Sequence, residues 1–270
     1  MRISPAGSEV PDLPLFHRAT IGAGSPRLMI HCMLARHEVL LPLAMAIGGA
    51  ASLFDMPGHG QSANWDGRTP YQAVTAQMAA ACCEGPTHVI GHSFGAAVAL
   101  RLAVERPDLV SRLTLIEPVF FAAAKGTEAH ADYLRKFRPF VAAMLQGDER
   151  HAAEVFNGFW STANWDSIPP EQQAYLTDRI HLIVATGADL EEDGDGITSP
   201  ARLAQMTAPV TLIRGERTQP IIADIHASLC ARLPNATDHL IAGAGHMAPL
   251  RKPFIPEIAA IIRAAETENG

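Results

Sequence analysis

The chain has no uninterrupted apolar run long enough to cross a bilayer, which excludes a membrane-spanning helix as a reading of the sequence. The N-terminal stretch MRISPAGSEVPDLPLF lacks the apolar centre of a signal peptide and carries acidic residues and prolines there, so a cytoplasmic location is expected. Cysteine is scarce. Cys32, Cys82, Cys83 and Cys230 have no metal-type spacing, and an adjacent pair makes a poor staple, which excludes a disulfide scaffold and a zinc module. Positive charge is also short, with 21 Lys and Arg against 28 Asp and Glu, and the net −7 is spread without a basic stripe. Nucleic acid is thereby excluded as a partner. The glycine-rich segments follow neither the dinucleotide nor the P-loop pattern, so no cofactor and no metal are expected.

What is present is an alternation of short apolar runs with longer helical patterns, over 270 residues that can bury a substantial core. Strands are expected at Leu15–Thr20, Leu28–His31, Ala51–Phe54, His88–Ile90, Leu113–Ile116, Val210–Ile213 and His239–Ile241. Helices are expected over 38–47, 71–83, 94–105, 221–232 and 254–266, with Pro107, Pro209, Pro234 and Pro253 at junctions. This is the pattern of an α/β fold, a mostly parallel sheet flanked by helices. From about 122 to 205 the alternation stops, helical segments such as 128–145 and 149–159 take over, and the acidic run Asp189–Gly196 reads as a solvated loop. The expected organisation is a core of 1–121 and 206–270 with a helical cap of 122–205 inserted between two strands.

The stretch THVIGHSFGAAVALRLAVER, residues 87–106, carries the strongest chemical signal. A β-branched run meets Gly91-His92-Ser93-Phe94-Gly95 and then an Ala/Leu-rich helical pattern. A strand that turns sharply into a helix lifts a serine hydroxyl above the sheet end, and glycines on either side remove the side chains that would collide there. The helix start also aims unpaired N–H groups, that of Phe94 first, at the place where an oxyanion would form. Serine needs a base, and among 12 histidines His246 stands out because it follows a strand pattern inside a Gly-rich loop.

Taken in order, Leu28-Met29-Ile30-His31, Phe54-Asp55-Met56-Pro57-Gly58-His59-Gly60-Gln61-Ser62, Gly91–Gly95 and Gly243-Ala244-Gly245-His246-Met247-Ala248-Pro249 resemble four motifs of the α/β-hydrolase superfamily. The resemblance spans nearly the whole chain. It implies that Ser93 is the nucleophile, that Met33 supplies a second oxyanion N–H beside Phe94, that His31 braces the oxyanion turn and that His59 builds the pocket wall. Two positions depart from the family pattern. Thr218 stands where many relatives carry the orienting aspartate, and the acid is then expected at Glu117, after the strand that follows the elbow helix, with Glu216 and Asp224 as alternatives. Cys32 stands where a glycine usually shapes the oxyanion turn, and is either a small buried residue or a thiol that controls the site by oxidation.

The candidate pocket residues are Cys32, His92 and Met247 from the core, with Phe120, Phe137, Met144 and Trp160 from the cap side. The expected activity is a serine hydrolase acting through an acyl-enzyme on a carboxylic ester of a small or medium, largely apolar substrate. Other serine chemistry on the same scaffold remains open: carbon–carbon bond hydrolysis, lactone opening, acyl transfer and cofactor-free peroxidation. A non-catalytic ligand-binding member also remains open. The expected partner is a small-molecule substrate, and the chain is expected to be a monomer or a homodimer.

Overall fold

Successive residues of the central strands face opposite layers, and both layers are apolar. Leu28 and Ile30 join one buried cluster while Met29 joins the other, and Val89/Ile90, Leu115/Ile116 and Leu212/Ile213 divide in the same way. Strands buried on both faces must read as continuous apolar runs rather than alternating ones, which is what made them visible in the sequence. The computed structural model describes residues 13–24, 27–161 and 163–267. Most of the stretch read for a signal peptide, and the outer ends of the two-part core, therefore lie outside the described residues.

In chain order the elements are β1 (Arg18–Ile21), β2 (Arg27–Ile30), α1 (Leu41–Ile47), β3 (Ala51–Phe54), α2 (Tyr71–Ala81), β4 (Thr87–His92), α3 (Phe94–Glu105) and β5 (Val110–Ile116). Then come α4 (Glu128–Leu145), α5 (Glu149–Trp160), α6 (Pro170–Arg179), α7 (His181–Glu191) and α8 (Pro200–Leu203). The last elements are β6 (Val210–Gly215), α9 (Pro220–Arg232), β7 (Ala236–Ile241) and α10 (Ile255–Thr267). The seven strands form one sheet in the order β1-β3-β2-β4-β5-β6-β7. Only β1 is antiparallel among them, pairing Arg18 with Phe54 through Ile21 with Ala51. Residues of α1 and α10 share one buried cluster, and those of α2, α3 and α9 share the other.

The chain leaves the sheet at Ile116 and returns at Val210, and helices α4 to α8 fill the interval. Local chemistry starts these helices. The Thr127 hydroxyl accepts the His130 N–H at 3.1 Å at the head of α4, and the Asp148 carboxylate accepts the His151 N–H at 3.0 Å at the head of α5. Proline opens α6 and α9, where its missing N–H costs nothing.

Several expectations shift. The first strand begins at Arg18, later than Leu15, and β7 begins at Ala236, earlier than His239. Both are edge strands with polar, partly exposed residues, so periodicity marks them weakly. The run Asp189–Gly196 is not a solvated loop throughout. Its first three residues finish α7, Asp193 accepts the Ile197 and Thr198 N–H groups at 2.7 and 2.8 Å, and Asp195 takes the buried Arg101 guanidinium at 2.6 Å.

At the amino ends of the strands, Arg27 holds both oxygens of Glu266 at 2.6 and 2.7 Å, and His88 reaches the same carboxylate at 2.7 Å. This ties α10 to β2 and β4. Burial alone would raise the Glu266 pKa, but the hydrogen bonds from Arg27 and His88 outweigh it and hold the group at about 2, against an ordinary 4.5. The unfolded chain therefore takes up this proton first as pH falls. The contribution is complete above pH 4.5 and is lost as pH drops toward 2. Glu266→Gln is expected to lower the melting temperature at pH 7 by about 2–5 °C, and to flatten its decline between pH 4.5 and 2, as read by calorimetry.

Candidate active site

Loops at the carboxyl ends of β2, β4, β5, β6 and β7 converge, the usual place for a ligand in an open parallel sheet. Ser93, between β4 and α3, has φ 57 and ψ −120, a left-handed conformation that a residue with a side chain adopts only when its surroundings enforce it. The Ser93 N–H donates to the Ile116 carbonyl at 2.9 Å, and the Ser93 carbonyl accepts the Ala96 N–H at 2.9 Å. A Cβ on Gly91 would lie 2.2 Å from the Gly95 carbonyl oxygen, and one on Gly95 would lie 2.2 Å from that of Ile30. The tight turn thus exists only because both flanking residues are glycine.

His246 Nε2 lies 2.9 Å from Ser93 Oγ, and His246 Nδ1 lies 2.9 Å from Glu117 Oε2. An imidazole protonated at Nδ1 satisfies both contacts, donating to the carboxylate and accepting from the hydroxyl. All three residues are buried. Glu117, the residue after β5, is also left-handed, with φ 53. Its Oε1 accepts the Gly215 N–H at 2.6 Å, and its Oε2 accepts the Thr218 hydroxyl as well as His246. Burial opposes ionisation of Glu117, yet the hydrogen bonds from His246, Thr218 and the Gly215 N–H hold its carboxyl below the usual range. Of the other acids weighed for this role, Glu216 accepts the Gly243 N–H at 2.8 Å, and Asp224 lies within α9.

The segment after β2 is fixed by two neutral imidazoles. His31 donates from Nδ1 to the Cys32 carbonyl at 2.7 Å and accepts the Met56 N–H on Nε2 at 3.2 Å. His59 donates to the Pro57 carbonyl at 3.0 Å and accepts the Leu34 N–H at 3.0 Å. Burial lowers His31 to about 4 and His59 to about 3, so each keeps the lone pair that its N–H partner needs. The left-handed turn falls at Leu34, with φ 59, and not at Cys32, so the family's glycine is dispensable here. Cys32 is buried and its thiol is pushed up to about 12, an environment that keeps it protonated and unreactive.

Two cavities reach Ser93. One, of about 790 Å³, is lined by Cys32, Met33, Arg36, Tyr175, Met247 and Arg251 among others, and is partly polar. The other, of about 370 Å³, is almost wholly apolar and includes Phe137, Met144 and Tyr133. Met33, Ser93, Phe156 and Trp160 line both. Trp160 also lies against His246, with ring centroids 4.6 Å apart.

Of the expected pocket residues, Cys32, Phe137, Met144, Trp160 and Met247 line these cavities, and His92 and Phe120 line neither. His92 ends a central strand. Its buried ring donates from Nε2 to the His246 carbonyl at 2.8 Å, and burial lowers it to about 3. It therefore fixes the loop that carries His246. Phe120 is fully buried in the core cluster beneath the cavities. Tyr133 and the wall contributed by α7 were missed; the run Leu182-Ile183-Val184-Ala185 was the available signal for α7.

One group with metal-type donors exists among the described residues, although cysteine spacing gave no hint of one. His17, His37 and Asp55 bring ligand atoms within 4.8 Å of one another. The Asp55 oxygens are already engaged, Oδ1 by the backbone and ring of His37 and Oδ2 by the Gln61 N–H. No helix among the described residues is long and apolar enough to cross a membrane.

The family model described as alpha/beta hydrolase family matches residues 24–254. Lipase LipV of Mycobacterium tuberculosis is 31% identical over 253 residues, covering 86% of this chain and 85% of that protein. The pimeloyl-[acyl-carrier protein] methyl ester esterase of Methylococcus capsulatus is 30% identical over 212 residues, 72% of this chain and 75% of its own. Among solved structures, a thermophilic esterase from Thermogutta terrifontis superposes with a TM-score of 0.69 at 17% identity, over 96% of each chain. The 2-hydroxy-6-oxo-6-phenylhexa-2,4-dienoate hydrolase of a Rhodococcus strain gives a TM-score of 0.69 at 17% identity, over 94% of this chain and 97% of that one. At such identities the structural likeness concerns the fold.

Proposed function

We propose that this chain, which belongs to the alpha/beta hydrolase family, is a serine hydrolase that cleaves carboxylic esters of apolar acyl groups through an acyl-enzyme. The observation that carries the reading is the unbroken chain of contacts from Ser93 Oγ through the His246 ring to Glu117, at 2.9 Å on each side. His246 Nε2 takes the Ser93 proton as Oγ attacks the ester carbonyl carbon. The carbonyl oxygen becomes an oxyanion facing the N–H groups of Phe94 and Met33, where the start of α3 adds its positive end. Collapse of this intermediate expels the alkoxide, which leaves with the proton held on Nε2. Water then attacks the acyl-enzyme by the same route. Glu117 stays ionised throughout and holds the imidazolium in place. The helices between β5 and β6 act as a cap, walling both cavities over Ser93.

The names of relatives, among them a lipase and a methyl ester esterase, support ester chemistry. The inert surroundings of Cys32 favour turnover over mere ligand binding, because the turn after β2 is held by His31 and His59 without a glycine.

A p-nitrophenyl alkylphosphonate tests the reading. It is expected to release one equivalent of p-nitrophenolate, to abolish ester hydrolysis, and to leave its phosphonyl group on the peptide containing Ser93, located by mass spectrometry. Labelling elsewhere, or none with ester turnover intact, overturns it.

A further inference from the structure

The apolar cavity runs from Ser93, Met33 and Phe94 at its inner end to residues of α4 and α7 at its outer end. Leu134, Val141, Leu145 and Val184 line that outer end while being 46, 49, 84 and 56% exposed, so the cavity wall continues onto the surface. They are four of the seven large apolar side chains exposed among the described residues, and all four stand at this one opening. Leu134, Val141 and Leu145 follow one another at spacings of seven and four, which places them on one face of α4. The one charged residue lining the cavity, Glu191, is engaged by His130 Nε2 at 3.1 Å.

Apolar side chains are left in water at such a density when something apolar lies against them. A surface continuous with a cavity that ends on the nucleophile fits part of the substrate. A methylene fills about the space of a water molecule, about 30 Å³, so 370 Å³ holds about a dozen carbons. A longer chain meets no wall there. We propose that the substrates are esters of long unbranched acyl chains whose distal ends leave the protein between α4 and α7 and lie on the apolar lip formed by Leu134, Val141, Leu145 and Val184. The proposal rests on the serine hydrolase reading above and replaces the small or medium substrate expected from sequence with a long-chain ester.

Gly187 offers the test. It lies in α7 on the cavity wall, and a Cβ there would meet no atom within 4 Å, so a large side chain enters the outer channel without displacing backbone. Replacing a helical glycine also favours the helix. For the wild type, kcat/KM for p-nitrophenyl esters is expected to rise from butyrate to laurate and to stay within about threefold from laurate to palmitate, since added carbons beyond the lip are no longer buried. Gly187→Phe and, independently, Val184→Trp are expected to lower the palmitate-to-butyrate ratio of kcat/KM about tenfold or more. A wild-type profile that collapses beyond laurate, or a ratio unmoved in both folded variants, overturns the open channel. So does a wild-type dimer that Leu145→Glu splits without changing the chain-length profile, which would give the lip to a second copy. Absence of turnover of every ester in the series, with Ser93 unlabelled by the phosphonate, would instead overturn the serine hydrolase reading itself.

Discussion

Ser93→Ala is expected to reduce kcat for p-nitrophenyl butyrate by about 10⁶-fold, with the melting temperature shifted by no more than about 2 °C. The variant keeps the N–H groups around the oxyanion position and the cavities, so the residual rate reports what those supply without a nucleophile. Serine and alanine suffer alike from the left-handed φ of 57, and the deletion removes only one hydrogen bond, to His246. The fold therefore has little reason to change. A variant that retains more than about one per cent of the activity would mean that some other group attacks the ester.

The second large effect is at the acid. Glu117→Gln is expected to lower kcat by about 10⁴-fold, the scale seen when a triad carboxylate becomes an amide. An amide presents Nε2–H or Oε1 to His246 Nδ1. Either it repels the N–H that His246 must keep, or it turns its oxygen to His246 and leaves a neutral partner for a developing imidazolium. The Gly215 N–H and the Thr218 hydroxyl, which now both donate to the carboxylate, compete for the same single oxygen. Thr218→Ala removes one donor and leaves two, so a loss of about three- to tenfold is expected, well below that of Glu117→Gln. Steady-state kinetics on the two variants decide the matter. Equal losses would mean that the network, and not the charge on Glu117, carries the effect.

Those two residues mark the limits of what the sequence discloses. Ser93 was legible because everything that shapes it lies within a few residues, two glycines, a strand before and a helix after. Glu117 was expected through the family resemblance, which puts Thr218 at the usual aspartate position, and Glu216 and Asp224 stayed open beside it. The role of Thr218 was not legible, because a hydroxyl reveals its partner only when β5 and β6 lie side by side and bring positions about 100 apart into contact. The same holds for orientation. His92 and Phe120 stand close to the nucleophile and the acid in sequence, yet both rings face the protein interior. Phe137 and Met144 were legible as pocket residues from the Met and aromatic content of the cap, whereas α7 carried its cavity face in a short apolar run beside a glycine and was not foreseen. Edge strands β1 and β7 blurred at their ends because polar residues face solvent there.

The meeting of two cavities at Ser93 sets the traffic of the proposed reaction. With the acyl chain lodged in the apolar channel, the alcohol departs through the larger, partly polar cavity, and the water that regenerates the enzyme enters by that same door. In that reaction a small alcohol admitted to the vestibule, which Arg36 and Arg251 line, would compete with water for the acyl group.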